Sequence, residues 1–454
     1  MSQVLLKGGV AFINTELRAA DVLIDGQRIA QIGTSLRRTG NSCAVVDCQG
    51  LFVLPGLIDM HIHVDDMIGQ TPLADTWQTA SLAAIQTGIT TLVSFATQSD
   101  SRTISYVAKE MITKAEGKSC CDFNLHLTPT VWDNHTWQEL ENLKQRGFST
   151  LKLYTTYRNN GLYLSYQDIR SVMEQAKSYG YTVLLHCEDE QILNQAHLAY
   201  KGDMSQPLSH ALRRPPLAEI RAIEKCLAIC KETGTPLHIV HVSTSEGAEL
   251  IRRAAAECPV TFETCPQYLV LTEEQLKGQL GKQYLCSPPL RSNMEREQLI
   301  QKVREGEVDV LATDHCAIEK SDKESNAKTS IDSVPKGLPG VGSLVPLLRE
   351  VLVHEPASDL PAVIEMLSTN PAKICGIYPR KGTLAVGSDA DIAVVDLFAE
   401  PSTLRSSLAD VYDPYNKMQS RYRAKRVYLR GTLLVEDGVV VQAQQPKGEF
   451  VCPT

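Results

Sequence analysis

The sequence predicts an α/β protein: a (β/α)8 TIM barrel with a small β-sandwich domain formed by the N- and C-terminal segments. Its 454 residues are enough for one large barrel and an accessory domain. The middle of the chain alternates short apolar runs with longer segments of helical period, which is typical of parallel strands and crossover helices. The two ends instead show short strands and turn signals. We therefore predict a sandwich domain over residues 1–54 plus 376–454 and a barrel domain over residues 55–375.

The terminal segments read as strands joined by tight turns. Near the N-terminus, residues 20–33 predict a hairpin that turns at Asp25-Gly26. Near the C-terminus, residues 389–396 and 426–438 have the same character. Two β-rich ends that flank a different middle indicate one domain assembled from both ends of the chain.

Eight apolar runs are the predicted barrel strands. They cover residues 57–61, 90–95, 123–130, 150–154, 182–186, 237–242, 260–263 and 308–313. A doubly wound open sheet is the competing architecture, but it needs a glycine-rich phosphate loop after its first strand. The sequence has no such loop there, so the barrel is favoured.

Composition and charge exclude several classes of partner. Lysine and arginine number 45 against 53 acidic residues, a balance that predicts binding to neither nucleic acid nor an anionic membrane. The basic run at residues 421–430 is interpreted as a strand with a solvated outer face. No apolar run approaches the roughly 20 residues of a membrane span. Thirteen cysteines without Cys-x-x-Cys spacing indicate a reducing compartment, so we expect a cytoplasmic protein with no cleaved signal.

Residues able to bind metal fall where the predicted strands end. His61 and His63 are two apart in an extended segment, so their side chains point to the same side. Four further candidates lie at the carboxyl ends of other predicted strands: Lys152, His186, His241 and Asp314. Each could be structural by itself, but a barrel carries its active site at that face, so the set predicts a metal site.

The remaining histidines near these strands are interpreted as structural: His126, His135, His238 and His315. Asp314 is preferred over its neighbour His315, because a carboxylate can act both as a hard ligand and as a proton shuttle.

With these residues in place, the sequence resembles the cyclic amidohydrolases, and is most similar to dihydropyrimidinase and hydantoinase. Allantoinase and dihydroorotase are relatives. The resemblance covers nearly the whole chain. The matching motifs are GLIDMHIH (56–63), LKLYTTY (151–157), LHCE (185–188), IVHVS (239–243), ETCPQYL (263–269), SPPLR (287–291), ATDHC (312–316), GLPG (337–340) and GSDAD (387–391).

The resemblance implies a centre of two divalent ions, usually zinc, with manganese or cobalt as alternatives. His61, His63 and Asp314 would hold one ion, and His186 and His241 the other. Lys152 would bridge them as N6-carboxylysine, a carbamate formed with carbon dioxide, because a bare ammonium has no lone pair. A homo-oligomer, tetramer or dimer, is also implied.

The implied reaction is hydrolysis of a cyclic ureide or imide, a small molecule, to an N-carbamoyl amino acid. Tyr157 would polarise the ring carbonyl and Asp314 would carry the proton. Substrate contacts are implied at Ser287, Lys336 and Gly337. The family favours asparagine before that glycine, so Lys336 is a departure that could favour a substrate with a carboxylate.

Several alternatives stay open at this point. Allantoinase is supported by the LHCE motif and the tail at residues 446–450. Dihydroorotase is less favoured, because the family's arginine two residues after the histidine pair is replaced by Asp65. A metal-free scaffold predicts substitutions among the six candidate ligands, and a mononuclear deaminase predicts no bridging Lys152. The loops 64–75 and 157–165 are expected to set specificity, with Asp65 and Asp66 interpreted as parts of a solvated loop.

Overall fold

The structure is a computed structural model that describes residues 3–37, 43–99, 102–325, 330–441 and 448–452. Residues 446–447 of the tail mentioned above lie outside that range. The strands are β1 (Gln3–Ile13), β2 (Glu16–Asp25), β3 (Arg28–Gly33), β4 (Ala44–Asp47), β5 (Phe52–Pro55), β6 (Leu57–Asp59), β7 (Ile62–His63), β8 (Met67–Ile68), β9 (Thr71–Pro72), β10 (Ile89–Thr97), β11 (Asp122–Thr128), β12 (Thr150–Tyr154), β13 (Thr182–His186), β14 (Leu237–Ile239), β15 (Val260–Thr264), β16 (Val310–Leu311), β17 (His315–Cys316), β18 (Ile392–Asp396), β19 (Ser402–Thr403), β20 (Gln419–Ser420), β21 (Arg423–Leu429), β22 (Thr432–Glu436) and β23 (Val439–Val440).

Helices follow most of the central strands. They are α1 (Trp77–Ile85), α2 (Ile104–Ala115), α3 (Asn134–Gln145), α4 (Tyr166–Ser178), α5 (Glu190–Ala199), α6 (Leu208–Leu212), α7 (Pro216–Thr233), α8 (Ser245–Ala254), α9 (Pro266–Val270), α10 (Asn293–Arg304), α11 (Lys320–Ser325), α12 (Leu344–Leu352), α13 (Pro356–Ile364) and α14 (Asn370–Ile374). In the described part of the chain, no helix is both long and apolar enough to span a membrane.

The central sheet contains all eight predicted strands, paired in parallel in the order β16-β15-β14-β13-β12-β11-β10-β6. Its strands are buried on both faces, which explains why they read as continuous apolar runs. The intervening helices cover the outside with one apolar face. In α4, Ser165 caps the first turn, and Ile169, Val172 and Met173 are buried. The predicted (β/α)8 barrel is therefore confirmed.

The first and last barrel strands meet through their continuations. β7 and β17 pair in parallel, with Cys316 opposite His63. Below that pair, the buried Asp59 carboxylate accepts hydrogen bonds from the Thr313 hydroxyl at 2.6 Å and the Thr313 amide at 3.1 Å. These contacts bring the two ends of the barrel segment together at the carboxyl ends of the strands.

Both chain ends contribute to a second sheet. Its nine strands run β23-β22-β21-β18-β5-β1-β2-β3, with β4 added beside β1. The predicted hairpin at Asp25-Gly26 joins β2 and β3. β5 lies between the N-terminal β1 and the C-terminal β18, so the sheet joins segments about 340 residues apart in sequence, as in the pair Val53 and Val394. The predicted domain limits stay a prediction.

A buried ion-pair cluster connects this sheet to the barrel. The Lys381 ammonium lies 2.5 Å from carboxylate oxygens of both Asp122 and Asp391 and 3.0 Å from Asp389. Arg430 forms a second ion pair with Asp122. Asp122 begins β11 of the barrel, whereas the other residues flank strands of the terminal sheet. Two cations thus occupy the space between three close carboxylates, and we interpret the cluster as structural.

Replacing Lys381 with methionine should destabilise the protein by about 3–5 kcal/mol, because three buried carboxylates would lose their main counter-ion. Thermal unfolding of the purified variant measures the effect. Lys425→Met is the matched control, since its partner Asp437 is exposed and such a pair is worth at most about 1 kcal/mol. Equal melting temperatures for the two variants would contradict a structural role for the cluster.

Candidate active site

Two histidines and an aspartate from the first and last barrel strands meet at one point. His61 and His63 come from the segment of β7, and Asp314 lies between β16 and β17. The nearest Asp314 oxygen is 3.2 Å from Nε2 of His61 and 3.4 Å from Nε2 of His63. Ligand atoms of the three residues lie within 4.8 Å of one another, so they can bind one ion.

A second pair of histidines lies beside the first group. Nδ1 of His186, at the end of β13, is 3.0 Å from Nε2 of His241, which follows β14. The His241 ring centre is 5.4 Å from that of His61. Burial lowers the pKa of both His186 and His241, so their imidazoles stay neutral and keep a lone pair for a cation.

Lys152 is buried between aromatic rings at the same end of the barrel. Its ammonium nitrogen is 5.3 Å from the ring centre of Phe95 and 5.1 Å from that of Tyr154. Phe95 also stacks on His63, with 4.6 Å between ring centres, so one phenyl ring contacts both. Burial lowers the pKa of Lys152 to about 8.

Buried glutamates orient the candidate ligands. Glu263, in β15, makes a short contact with Nδ1 of His61 and accepts the His241 amide hydrogen at 3.1 Å. A carboxylate oxygen of Glu188 lies 2.8 Å from Nε2 of His186. A carboxylate on the far nitrogen of a histidine fixes the ring and increases its basicity, an arrangement common behind metal ligands.

The carboxylates of the site attract positive charge. Burial disfavours protonation of His61, yet the carboxylates of Glu263 and Asp314 raise its pKa to about 9. Burial also disfavours ionisation of Asp314, yet the histidines around it lower its pKa well below the usual range. Imidazole nitrogens and carboxylate oxygens are common ligands of zinc and similar divalent ions. The residues present therefore fit a divalent metal.

Tyr157 borders this group on the side of the second histidine pair. Its ring centre is 5.0 Å from that of His186. The Ser287 hydroxyl lies 3.2 Å from Nε2 of His210, a neighbouring residue of the site. Burial raises the pKa of Tyr157 to about 12, so the hydroxyl remains a donor at neutral pH. Arg214 lies against the Tyr157 ring and forms a two-point ion pair with Glu188.

Three of these side chains project from backbone in the left-handed region. The φ angles are +67° at Tyr157, +40° at His241 and +50° at Asp314. Residues other than glycine adopt such angles at a cost of about 1–3 kcal/mol each, and they concentrate at functional sites.

Lys336 and Gly337 form hydrogen bonds with other residues of the protein. The Lys336 ammonium donates to the carbonyls of Ile331 and Asp332, at 2.9 and 2.7 Å. The Gly337 amide donates to Leu285, and its carbonyl accepts from Lys323. The Gly337 amide thus already has an acceptor, whereas its carbonyl oxygen keeps a second lone pair. The substrate contacts at Gly337 and Ser287 both stay predictions.

Comparison with known proteins identifies the family of the chain. The model of the amidohydrolase family matches residues 52–434. The chain belongs to the amidohydrolase family. A D-hydantoinase of Rhizobium radiobacter is 31% identical over 446 residues, covering 97% of this chain and 96% of the relative. The crystal structure of a dihydropyrimidinase from Brevibacillus agri NCHU1002 superposes with a TM-score of 0.92 at 30% identity, covering 99% and 98% of the two chains. An L-hydantoinase (dihydropyrimidinase) from Arthrobacter aurescens gives 0.88 at 27% identity, covering all of both chains.

These matches confirm the resemblance predicted from the motifs. As an amidohydrolase the chain is an enzyme, and the family implies a divalent metal centre. The metal-free scaffold is therefore not supported. Relatives named for opposite stereochemistry share the fold, so the fold alone does not determine stereochemical preference.

In this amidohydrolase the six predicted ligand residues lie at one end of the barrel. Of the four histidines interpreted as structural, three are buried and have partners within the protein. His126 contacts the Thr150 hydroxyl at 2.6 Å and the Met60 carbonyl at 2.7 Å, and His315 faces Asp75 at 3.1 Å. His238 contacts Glu263, and His135 lies at the surface.

Asp65 differs from the solvated loop residue that the sequence suggested. Its carboxylate accepts the Trp77 amide hydrogen at 2.7 Å, at the start of α1. An anion fixed at a helix start has a structural explanation, because it satisfies an amide that would otherwise lack a partner.

Sequence reasoning missed the supporting residues of the site. Glu188 and Glu263 stand inside the LHCE and ETCPQYL motifs, so their place in a matching motif was a usable signal. Phe95 and Arg214 carried no signal, because their contacts join segments far apart in sequence.

Proposed function

We propose that this amidohydrolase hydrolyses an amide bond inside a ring of the hydantoin or dihydropyrimidine type and releases an N-carbamoyl amino acid. The main support is the convergence of His61, His63, Asp314, His186 and His241 around buried Lys152. Relatives named D-hydantoinase and dihydropyrimidinase match over nearly the full length of the chain.

His61, His63 and Asp314 would hold one divalent ion, and His186 and His241 a second, with zinc the ion that best suits this donor set. When bound, such ions lower the pKa of water from 15.7 toward about 7 and polarise a carbonyl. Lys152 would supply a ligand to both ions as a carbamate. Its neutral amine forms a bond to the carbon of carbon dioxide and loses a proton, which gives an anionic group with two oxygens.

Asp314 and Tyr157 carry out the proton transfer and stabilise the carbonyl oxygen. The Asp314 carboxylate accepts a proton from the attacking water and returns it to the ring nitrogen as the C–N bond breaks. The water oxygen stays on the carbonyl carbon, so one water is consumed for each ring opened. Tyr157 donates its hydroxyl hydrogen to the carbonyl oxygen while negative charge develops there.

Removing the Tyr157 hydroxyl should lower kcat/KM about 100-fold, because one donor to the developing oxyanion is lost. Steady-state kinetics of Tyr157→Phe with hydantoin measures the loss, and metal content should stay at the level of the unaltered enzyme. Tyr163→Phe, in the same loop, is the control and should behave like the unaltered enzyme. Unchanged kcat/KM for Tyr157→Phe would remove this residue from the mechanism.

A substrate panel tests the proposed function directly. Metal-loaded enzyme is given dihydrouracil, hydantoin, allantoin and dihydroorotate, with zinc and with manganese. We expect ring opening of hydantoin or dihydrouracil, its loss after chelation, and its return when zinc is added. If no ring of the panel is opened by enzyme of verified metal content, the proposal is wrong.

We further propose a homo-oligomer, either a dimer or a tetramer, and a small-molecule substrate as the only other partner. Light scattering of the purified protein gives the mass in solution, and a monomer would refute the oligomer.

A further inference from the structure

A buried lysine that the proposed mechanism does not use lies close to the candidate site. In the described part of the chain three lysines are buried: Lys152, Lys323 and Lys381. Lys152 is the proposed bridging ligand, and Lys381 is surrounded by carboxylates. Lys323, in helix α11, is 2% exposed and has neither of these roles.

The ammonium group of Lys323 has no anionic partner. Among the described residues no carboxylate forms an ion pair with it, and the ionisable groups that influence it are the thiols of Cys316 and Cys286. Burial lowers the pKa of Lys323 to about 8, so the group still carries its charge at neutral pH. A buried charge without a counter-ion is unfavourable, and an apolar side chain would fill the same space more favourably. The charge therefore indicates a role beyond packing.

The ammonium connects two segments of the candidate site. It donates one hydrogen bond to the Gly337 carbonyl at 2.7 Å and another to the Gln283 carbonyl at 3.1 Å. The Gly337 amide in turn donates to the Leu285 carbonyl at 2.9 Å. Three hydrogen bonds thus fix Gly337 against residues 283–287, the segment that ends at Ser287.

Gly337 lies next to the ligands of the first candidate ion. It packs so closely on Cys316 that a Cβ at this position would be 2.7 Å from the Cys316 carbonyl oxygen. Cys316 follows Asp314 by two residues and pairs with His63 between strands β17 and β7. A shift of Gly337 would therefore move a predicted substrate contact relative to the candidate metal centre.

We propose that Lys323 is a positioning residue that fixes the predicted substrate contacts at Ser287 and Gly337 relative to the candidate metal centre. The proposal rests on the proposed function, because it concerns how the ring substrate of that reaction is held. In this role Lys323 touches neither the ring nor an ion and acts only through the two segments that it joins. Contacts that hold substrate and transition state equally well change KM and leave kcat unaltered.

The variant Lys323→Met removes the charge and the hydrogen bonds, while an unbranched apolar side chain fills the space. Kinetics of the zinc-loaded variant are measured with whichever ring of the substrate panel the unaltered enzyme opens. We expect KM to rise about tenfold and kcat to change less than about threefold, because substrate binding is weakened but the chemistry is not. Zinc content should equal that of the unaltered enzyme, since the ammonium donates to no candidate ligand.

A purely structural role of Lys323 predicts a different result. The melting temperature and the active fraction would fall, so the apparent kcat would decrease while KM stayed constant. That outcome, or a variant with both constants unchanged, would overturn the proposal. If the unaltered enzyme opens no ring of the panel, the proposed function itself fails. If it opens a ring and KM is the same in Lys323→Met, only the positioning role fails.

Lys177→Met is the matched control. The Lys177 ammonium also donates to a backbone carbonyl, that of Thr233 at 2.8 Å, but it does so near the ends of helices α4 and α7, where the next barrel strands begin. KM should stay unchanged in this variant. Lys323→Gln provides a second measurement, because its carboxamide can still donate, and it should raise KM less than methionine does. If neither variant of Lys323 folds, the lysine serves the fold alone and the proposal is rejected.

Discussion

Replacing Lys152 with alanine is expected to lower kcat/KM by about 1,000-fold or more, because the proposed bridging ligand of both ions is lost. The variant should also bind less metal, which elemental analysis of the purified protein measures. Short carboxylic acids such as acetate or propionate should restore part of the activity, because they can return two anionic oxygens to the space that the side chain leaves.

Lys144→Ala is the matched control. Its ammonium also lies over an aromatic ring, 5.0 Å from the centre of Tyr181, but it stands away from the candidate ligands. This variant should retain activity and metal. Full activity in Lys152→Ala would exclude a bridging role and favour a mononuclear centre instead. Mass spectrometry under native conditions adds an independent readout, since the carbamate adds the mass of carbon dioxide to the unaltered enzyme.

Asp314→Asn should lower kcat by about 100- to 10,000-fold, the range expected when a positioned acid-base group is lost. Asparagine keeps the shape of the side chain but cannot accept and return a proton. Because the carboxylate is also a proposed ligand, the assay is run over a range of added zinc. A defect that persists at saturating metal separates loss of proton transfer from loss of binding.

Asp66→Asn makes the same change of charge near the same histidines and serves as the control. Its carboxylate accepts the Met67 amide hydrogen, and its electrostatic influence reaches His63. We expect a change of less than about tenfold in this variant, since burial raises the pKa of Asp66 and so reduces its negative charge, and its carboxylate bonds to the Met67 amide rather than to a candidate ligand. Equal losses in both variants would indicate that only the local charge matters and would remove Asp314 as the proton carrier.

The barrel could be predicted because its signal is local. Each strand is a short buried run of β-branched and apolar residues, and each run is legible in the sequence without knowledge of its neighbours. For the same reason the strand ends, and with them Lys152, His186 and His241, could be assigned to one face. The choice of Asp314 over His315 rested on chemistry, and the structure puts the Asp314 carboxylate between the two histidines of the first strand.

What could not be predicted depends on contacts between distant segments. Phe95 contacts both Lys152 and His63, although β10, which carries it, pairs with neither β12 nor β7. The predicted strand order does not determine which side chains meet across the barrel interior. The place of β5 between strands from both chain ends is a second example. Arg214 reaches Glu188 and Tyr157 from a segment that shows no regular pattern.

The left-handed backbone at Tyr157, His241 and Asp314 has a consequence for engineering this enzyme. Programmes that seek greater heat resistance often replace strained residues with glycine, which relieves the unfavourable angle. At these three positions glycine would relieve the strain but would also remove a proposed ligand or hydrogen-bond donor, and at His241 it would leave the space of a buried imidazole empty. Relief of backbone strain is therefore no route to a more stable active enzyme at these positions.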